Sequence, residues 1–414
     1  MDFFWKGNYA WTHSAEDFNI HIGSKICYAN EKPDGNSYWI CPIGLLSETH
    51  IQTQNFQISY WNELPVFFQA KGDLGFDIFA ASFYLLARYE EYLPHEKDKY
   101  GRYAETNSLA FKEKFLRLPL IDLWRQQLEN ILQVKFPDYQ PEKRTFQYTP
   151  TFDIDMPFAF LHKPFYVHIG AFAKNILHGN KNVLQQQIAT WLGKMQDPFD
   201  SFSLLNVQMR QYDFQPIFFF PVAKRYGQFD KNPPQSNITF QQLIQQQSRL
   251  FDIGLHPSWQ SGDCNIILTQ EKTYLEKTSG KKITKSRQHY IRMTLPETYQ
   301  NLINTGIEED FSMGYGNIDG FRASTSRTFY WFDLSKNEAT QLSVHPFCWM
   351  DATAYHHTKE SPEQVFSNLQ YYYEIIQSVG GHMITIMHNN YFAPTSDMAA
   401  FREAMLSFWK KLIR

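Results

Sequence analysis

The sequence has few cysteines and no long hydrophobic run. Its 414 residues include four cysteines, none of which forms a CxxC pair, and this scatter excludes a disulfide framework or a zinc ribbon. No stretch approaches the roughly 18 apolar residues of a membrane span, and the first residues lack a basic segment followed by an apolar one. These absences predict a protein that has no membrane span and lies in the cytoplasm.

Several enzyme motifs and any large excess of charge are also missing. The sequence contains no P-loop, no GxGxxG after a strand, no GxSxG and no HExxH. Its 39 Lys and Arg residues nearly balance 42 Asp and Glu residues, for a net charge of -3. No global field is therefore expected to recruit nucleic acid or an anionic membrane.

Aromatic residues, by contrast, are abundant at 17% of the chain. They fit either a bulky core or a cleft whose rings stack on sugars or bases. Hydrophobic residues make up 43% and charged residues 20%, which is typical of a globular protein rather than a disordered one. The length predicts two to three domains.

The distribution of strand-like and helical segments places one domain boundary. The first part alternates short aromatic runs with turns and then becomes helical, with helices predicted over 76–93 and 118–134. Residues 136–143 are polar, contain two prolines and lack periodicity, as linkers do. We therefore predict a smaller α+β accessory domain over 1–143 and a second domain over 144–414.

The second domain is predicted to be α/β. Short apolar runs recur between segments of helical character, which is the pattern of a mostly parallel sheet. A capping box of Thr239 and Gln242 indicates where one helix begins. The predicted strands cover residues 146–152, 216–221, 252–255, 320–323, 342–347 and 383–387. Because functional side chains gather at the carboxyl ends of parallel strands, polar residues at these positions are candidates for a site.

Two carboxylates and two histidines occupy such strand ends. Asp153 and Asp155 end the first strand, and alternation along a strand puts both on one face. Their mutual repulsion would be relieved by a divalent cation, which leaves one carboxylate free as a base. His256 and His388 follow later strands. Together they favour a metal-assisted hydrolase, although the carboxylates alone could cap a loop and the histidines could be structural.

The order of these motifs resembles the polysaccharide deacetylase, or NodB-homology, family over residues 146–392. The resemblance implies a distorted (β/α) barrel in which Asp153 is the general base and Asp155 a metal ligand. His256 matches the first histidine of the family's metal-binding H-x-x-x-H pair, whereas Gln260 occupies the position of the second. A neutral amide is a poor zinc ligand, so the second histidine has to come from elsewhere or the site is degenerate.

The resemblance also implies roles for residues further along the chain. His289 is the expected replacement for the missing metal ligand. Arg322, in a Gly-Phe-Arg segment, would orient the base Asp153. Asp351 would pair with His388, which would be the general acid.

Residues around these motifs are assigned to substrate binding. They are Trp259, Arg287, Arg292 and Tyr315. In an alternative interpretation, His289 joins the two arginines of its segment, Arg287 and Arg292, in binding an anionic or hydroxyl-rich substrate rather than a metal.

The function that the resemblance implies is removal of N-acetyl, or O-acetyl, groups from a sugar, with a divalent metal, zinc being the expected ion. The predicted partner is an acetylated sugar or glycan, with no nucleic acid. A cytoplasmic location would favour nucleotide-linked or lipid-linked precursor sugars, or soluble glycans. Two alternatives stay open: a degenerate, non-catalytic sugar-binding protein, which Gln260 supports, and a hydrolase of another C–N bond such as that of a cyclic imide.

Overall fold

The computed structural model describes residues 2–5 and 9–413. The N-terminal part combines short helices with two small sheets. Its helices are α1 (Asp2–Trp5), α2 (Ala15–Ile20), α3 (Ile78–Leu86), α4 (Leu109–Lys112) and α5 (Leu120–Lys135). The strands are β1 (Ile26–Tyr28) and β2 (Tyr38–Ile40), which pair in parallel, and β3 (Ser59–Trp61) and β4 (Leu64–Val66), which pair antiparallel.

The two helices predicted for this part are present with changed bounds. Helix α5 agrees with the predicted 118–134 to within two residues and packs Trp124 into the N-terminal core. Helix α3 is shorter than predicted, because the chain turns into the left-handed region at Arg88, with φ +53°, and continues as a separate 3-10 turn. That turn directs the Arg88 side chain into the interior, where it is 1% exposed.

The second part is built on one nine-stranded sheet. Its strands are β5 (Gln147–Asp153), β6 (Ile217–Phe220), β7 (Asp252–Leu255), β8 (Lys285–Ser286), β9 (Glu309–Asp310), β10 (Phe329–Asp333), β11 (Glu338–Val344), β12 (Trp349–Met350) and β13 (His382–His388). The strand order is β10-β11-β9-β8-β7-β6-β5-β13-β12, and only the β10–β11 pair is antiparallel. The predicted mixed α/β class with a mostly parallel sheet is confirmed. A barrel is not, because within the described residues the sheet stays open between β10 and β12.

Helices alternate with most of these strands along the chain. They are α6 (Phe165–Leu177), α7 (Lys181–Trp191), α8 (Phe202–Gln211), α9 (Ile238–Leu250), α10 (Asn265–Ser279), α11 (Glu297–Asn304), α12 (Pro362–Ser378) and α13 (Ser396–Leu412). Helix α9 begins earlier than the predicted capping box, because Asn237 accepts the Phe240 N–H at 2.9 Å and is the true N-cap. The Thr239 capping box is therefore wrong.

One predicted strand is absent. Residues 320–323 form a turn rather than a strand, since Gly320 has φ +138° and a Cβ there would lie 2.6 Å from the Leu116 carbonyl oxygen. The turn presses against the N-terminal part, and its Phe321 N–H donates to that same carbonyl at 2.8 Å.

A buried ionic cluster joins the two parts of the chain. Glu91 accepts hydrogen bonds from Arg322 at 2.5 and 2.8 Å and from Arg88 at 2.8 Å. Arg88 also donates to the Arg322 carbonyl. All three side chains are almost fully buried. The domain boundary near residue 143 stays a prediction; residues 139–146 have no helix or strand.

Candidate functional site

The candidate site lies where four strands of the sheet have their carboxyl ends. Asp153 closes β5 and is paired in register with His388, the last residue of β13. Two strands away, His256 directly follows β7, and Arg287 directly follows β8. Parallel pairing of these strands therefore brings together side chains that are more than 200 residues apart in sequence.

Three of these side chains form a metal-binding arrangement. Asp155 Oδ1 lies 3.1 Å from His256 Nε2, and Asp155 Oδ2 lies 3.3 Å from His289 Nε2. One ligand atom from each residue falls within 4.8 Å of the others. Asp155 Oδ1 is buried and no donor is aligned to form a hydrogen bond with it. Orphaned buried oxygens are costly unless a cation or donor satisfies them, so the three residues fit a divalent ion.

The outer contacts of the two histidines also fit a metal. His256 Nδ1 faces the Arg287 carbonyl at 2.5 Å, and His289 Nδ1 faces Asp230 Oδ1 at 3.0 Å. Because both partners are acceptors, each Nδ1 carries the hydrogen and each Nε2 can present a lone pair toward Asp155. This is the outer arrangement that metal-binding histidines usually have.

The electrostatics of the site favour positive charge at its centre. Burial alone would lower the pKa of His289, but Asp155 and Asp230 outweigh it and raise that pKa to about 10. Burial likewise opposes the charged form of Asp155, yet the neighbouring histidines hold its pKa well below the usual range. The carboxylates of Asp155 and Asp230 lie beside the imidazoles of His256 and His289 in a buried space. Together they stabilise a cation, whether a proton or a metal ion.

Asp153 is held by an arginine, but not by the one expected. Arg287 Nη1 donates to Asp153 Oδ1 at 2.8 Å and to Thr151 Oγ1 at 2.7 Å, and its guanidinium is fully buried. Arg322 instead forms the ion pair with Glu91 described above, so the predicted contact between Arg322 and Asp153 is wrong. The turn at 320–323 directs Arg322 toward the N-terminal part, away from the sheet edge.

The contacts of Arg287 do not support its predicted role in substrate binding. Both the Asp153 contact and the donation of its Nε to the Phe311 carbonyl at 3.0 Å are internal. Its guanidinium also lies 4.4 Å from the centre of the Phe219 ring.

His388 and Asp351 form the expected pair. His388 Nδ1 lies 2.7 Å from Asp351 Oδ1, and the backbone N–H of His388 donates to the other carboxylate oxygen at 2.6 Å. Burial would lower the pKa of His388, but Asp351 outweighs it and raises that pKa to about 9. Its Nε2 points to the centre of the site, 3.6 Å from Asp155 Oδ2.

The other predicted substrate contacts divide into rim and interior. Trp259 and Arg292 lie at the rim. The Trp259 ring stacks on the Phe229 ring with centroids 3.8 Å apart, and the Arg292 guanidinium lies 4.6 Å from the centre of the Trp259 ring. Tyr315 is 4% exposed and its hydroxyl contacts Arg88, so it belongs to the junction between the two parts of the chain and not to a cleft. The assignment of Tyr315 to substrate binding is wrong because that junction covers it.

The two positions proposed for the second histidine are clearly separated. Gln260 is exposed and precedes a 3-10 turn, whereas His289 is buried beside Asp155. The structure therefore brings His289, but not Gln260, to the other candidate ligands. The glutamine at position 260 is therefore no longer a reason to regard the metal centre as degenerate.

Two residues near the centre carry no local sequence signal. Asp230, in the loop after β6, accepts from Trp259 N as well as facing His289, both at 3.0 Å. Arg102 comes from the N-terminal part and donates to the Tyr290 carbonyl at 2.6 Å and to Asn317 at 2.7 Å. Tyr290 follows His289 directly and has φ +59°, a strained conformation that Arg102 helps to hold.

We expect Arg102→Ala to weaken zinc binding about tenfold, because the turn that carries His289 loses its anchor. Competition titration against a chelating dye measures this. Arg402→Ala, on the outer helix α13, is the control and should leave the affinity unchanged. An Arg102→Ala protein with wild-type zinc affinity would show that the N-terminal part does not support the centre.

Comparison with known proteins adds distant likenesses. Residues 2–137 match the model of a family of unknown function, DUF7033. No curated protein matches the chain. No described helix is long and apolar enough to cross a membrane.

Solved structures with similar folds include three from bacteria. A candidate polysaccharide deacetylase from Mycobacterium smegmatis is 15% identical with a TM-score of 0.44, over 66% of this chain and 86% of that one. A polysaccharide deacetylase from Bacillus cereus is 11% identical with a TM-score of 0.31, over 65% and 89%. A CE4 family pseudoenzyme from Bacillus anthracis is 11% identical with a TM-score of 0.33, over 66% and 62%. All three TM-scores are low, so the geometry of the site alone carries the functional conclusion.

Proposed function

We propose that the chain is a metal-dependent hydrolase that removes acetyl groups, N-linked or O-linked, from a carbohydrate. The observation that carries the proposal is the grouping of three units at one sheet edge. Asp155, His256 and His289 form the candidate metal centre. Two pairs lie beside it. Arg287 holds the Asp153 carboxylate, and Asp351 holds the His388 imidazole.

The three ligands suit zinc, since two imidazole nitrogens and one carboxylate oxygen leave a further position open. A bound ion of this kind polarises an acyl oxygen and lowers the pKa of water beside it. The role of Asp155, His256 and His289 is to hold that ion, and Asp230 and the Arg287 carbonyl fix the orientation of the two rings.

In this proposal Asp153 acts as the general base. Arg287 engages its Oδ1, so the carboxylate is fixed in one orientation with Oδ2 turned to the centre, 3.7 Å from His256 Nε2. That oxygen would accept a proton from the attacking water.

In this proposal His388 acts as the general acid. Asp351 holds the ring through Nδ1 and raises the pKa of His388 to about 9, so its Nε2 carries a proton at neutral pH. That proton would pass to the leaving amine or alkoxide as the bond to the acyl carbon breaks. A general base and a general acid beside residues that would hold a cation are what acyl transfer to water requires.

Asp153→Asn tests the proposal. We expect kcat for acetate release from acetylated oligosaccharides to fall about 10²- to 10⁴-fold, while the bound metal per chain, measured by mass spectrometry, stays as in the wild type. Asp155→Asn should lose both. Full activity in Asp153→Asn would remove the base assignment. Turnover of cyclic imides but of no acetylated sugar would move the substrate to another C–N bond.

A further inference from the structure

A helical hairpin next to the site exposes an apolar surface to solvent. Helices α6 and α7 form this hairpin, and no residue of α6 is buried. The apolar residues of α6 that are 54% to 85% exposed are Phe165, Tyr166, Ile169, Ile176 and Leu177. Their spacing puts them on one side of the helix, next to the side that packs on α7. Single exposed apolar residues are ordinary, but a continuous stripe marks an interaction surface.

The second helix extends the same surface. The Trp191 ring of α7 packs against Phe172 and His168 of α6 and is 40% exposed. The next residue, Leu192, is 63% exposed. Trp191 Nε1 donates to the Phe160 carbonyl at 3.1 Å, so the polar end of the ring is satisfied and its apolar body faces outward. Rings arranged in this way are common at the boundary between water and lipid.

The charge of the hairpin indicates what it binds. Residues 156–196 contain four lysines and not one Asp or Glu, although the whole chain holds 42 acidic residues. Lys174, Lys181 and Lys194 are exposed, whereas Lys163 is partly buried near Asp197. The balanced total charge therefore conceals a local excess of positive charge. Lysines around an apolar helix face favour an anionic bilayer, because the rings and aliphatic chains enter the interface while the ammonium groups meet lipid phosphates.

The same charge argues against a symmetric dimer as the occupant. In a two-fold interface the same patch meets itself. The exposed lysines of the patch would then meet a second patch whose segment holds no acidic residue to pair with them.

The base of the hairpin is fixed at the rim of the candidate metal centre. Asn389 follows the proposed acid His388 and donates to the carbonyls of Met156 at 3.0 Å and Phe199 at 2.7 Å. These two residues lie before and after the segment that carries α6 and α7. Asp197 then closes the base, because its carboxylate accepts three successive backbone N–H groups of residues 159–161. A surface bound to the hairpin is thus held close to the catalytic groups.

We propose that the α6–α7 hairpin docks the protein on an anionic lipid surface and that the substrate is an acetylated saccharide carried on lipid. The docking stands on the exposed apolar stripe and its lysines. The substrate class rests in addition on the proposed function.

Vesicle flotation of the full chain tests the docking without any turnover. The probes are phosphatidylcholine vesicles with about a third phosphatidylglycerol, and vesicles of phosphatidylcholine alone. Wild type should float with the anionic vesicles and much less with the neutral ones, and added salt should reduce binding. Ile169→Asp with Leu177→Asp should lower the bound fraction at least about tenfold. A matched control, Ile22→Asp with Val134→Asp, changes two apolar residues that are 100% and 85% exposed elsewhere and should float as wild type.

The outcomes separate the two proposals. Equal flotation of the hairpin variant and wild type would overturn the docking. It would also be overturned if wild type binds no vesicles but forms a dimer in ultracentrifugation, and the hairpin variant loses that dimer. Vesicle binding with no hydrolysis of any acetylated saccharide would keep the docking and remove the substrate. Hydrolysis of soluble saccharides with no vesicle binding would keep the proposed hydrolase function and remove the docking. If both hold, wild type should hydrolyse a saccharide on anionic vesicles with a kcat/KM at least about tenfold above that for the same saccharide in solution.

Discussion

Replacing His289 with alanine should weaken zinc binding by more than about 100-fold, because even partners that only hydrogen-bond to a ligand are worth 10- to 100-fold. His289 supplies one of the three ligand atoms, and its loss also leaves Asp230 without the imidazole that it faces at 3.0 Å. The zinc affinity is measured by competition titration against a chelating dye, and the metal content by mass spectrometry after dialysis.

Two control variants distinguish the site from general effects of losing or adding a histidine. His345→Ala removes a histidine that pairs with Glu309 at 3.1 Å, outside the centre, and should keep wild-type zinc affinity. Gln260→His introduces an imidazole where the resemblance would place one, but that position is exposed, so it should neither strengthen binding nor rescue His289→Ala. One tightly bound zinc per chain in His289→Ala would mean that the metal site lies elsewhere.

The strand-end residues of the site could be predicted from sequence because the signal is local. Asp153 and His388 close a strand, His256 directly follows one and Asp155 lies two residues beyond one, and parallel pairing then fixes them at one edge. His289 could be named only as a candidate, since nothing in its own segment shows that the turn after β8 aims it at Asp155.

The choice between arginines depended on contacts that sequence does not reveal. Arg287 follows the polar residues Lys285 and Ser286, whereas Arg322 follows Phe321, and the family resemblance favours Arg322. What separates them is Glu91, 231 positions before Arg322, which pairs with that guanidinium and leaves Asp153 to Arg287. Barrel closure was beyond sequence for the same reason, because it depends on whether the edge strands β10 and β12 meet.

Glu91→Gln should lower the free energy of unfolding by about 3–5 kcal/mol, which is the usual cost of leaving buried charges unpaired. Glu91 compensates two guanidinium groups, those of Arg88 and Arg322, at a junction that excludes water. Urea unfolding at neutral pH measures the change as a lower midpoint. Glu308→Gln, which breaks an exposed pair with Lys282, should cost less than about 1 kcal/mol.

The pH dependence of this loss identifies the ion pairs as its cause. Burial opposes the charged form of Glu91, but Arg322 and Arg88 outweigh it and lower its pKa from 4.5 to about 2. A lowered carboxyl pKa contributes stability that is fully present above 4.5 and is lost as the pH falls toward 2. The stability difference between wild type and Glu91→Gln should therefore be constant from pH 7 down to about 5 and shrink below that. A difference that does not change with pH would instead point to the altered packing of the amide, and a neutral variant would mean that the junction does not depend on Glu91.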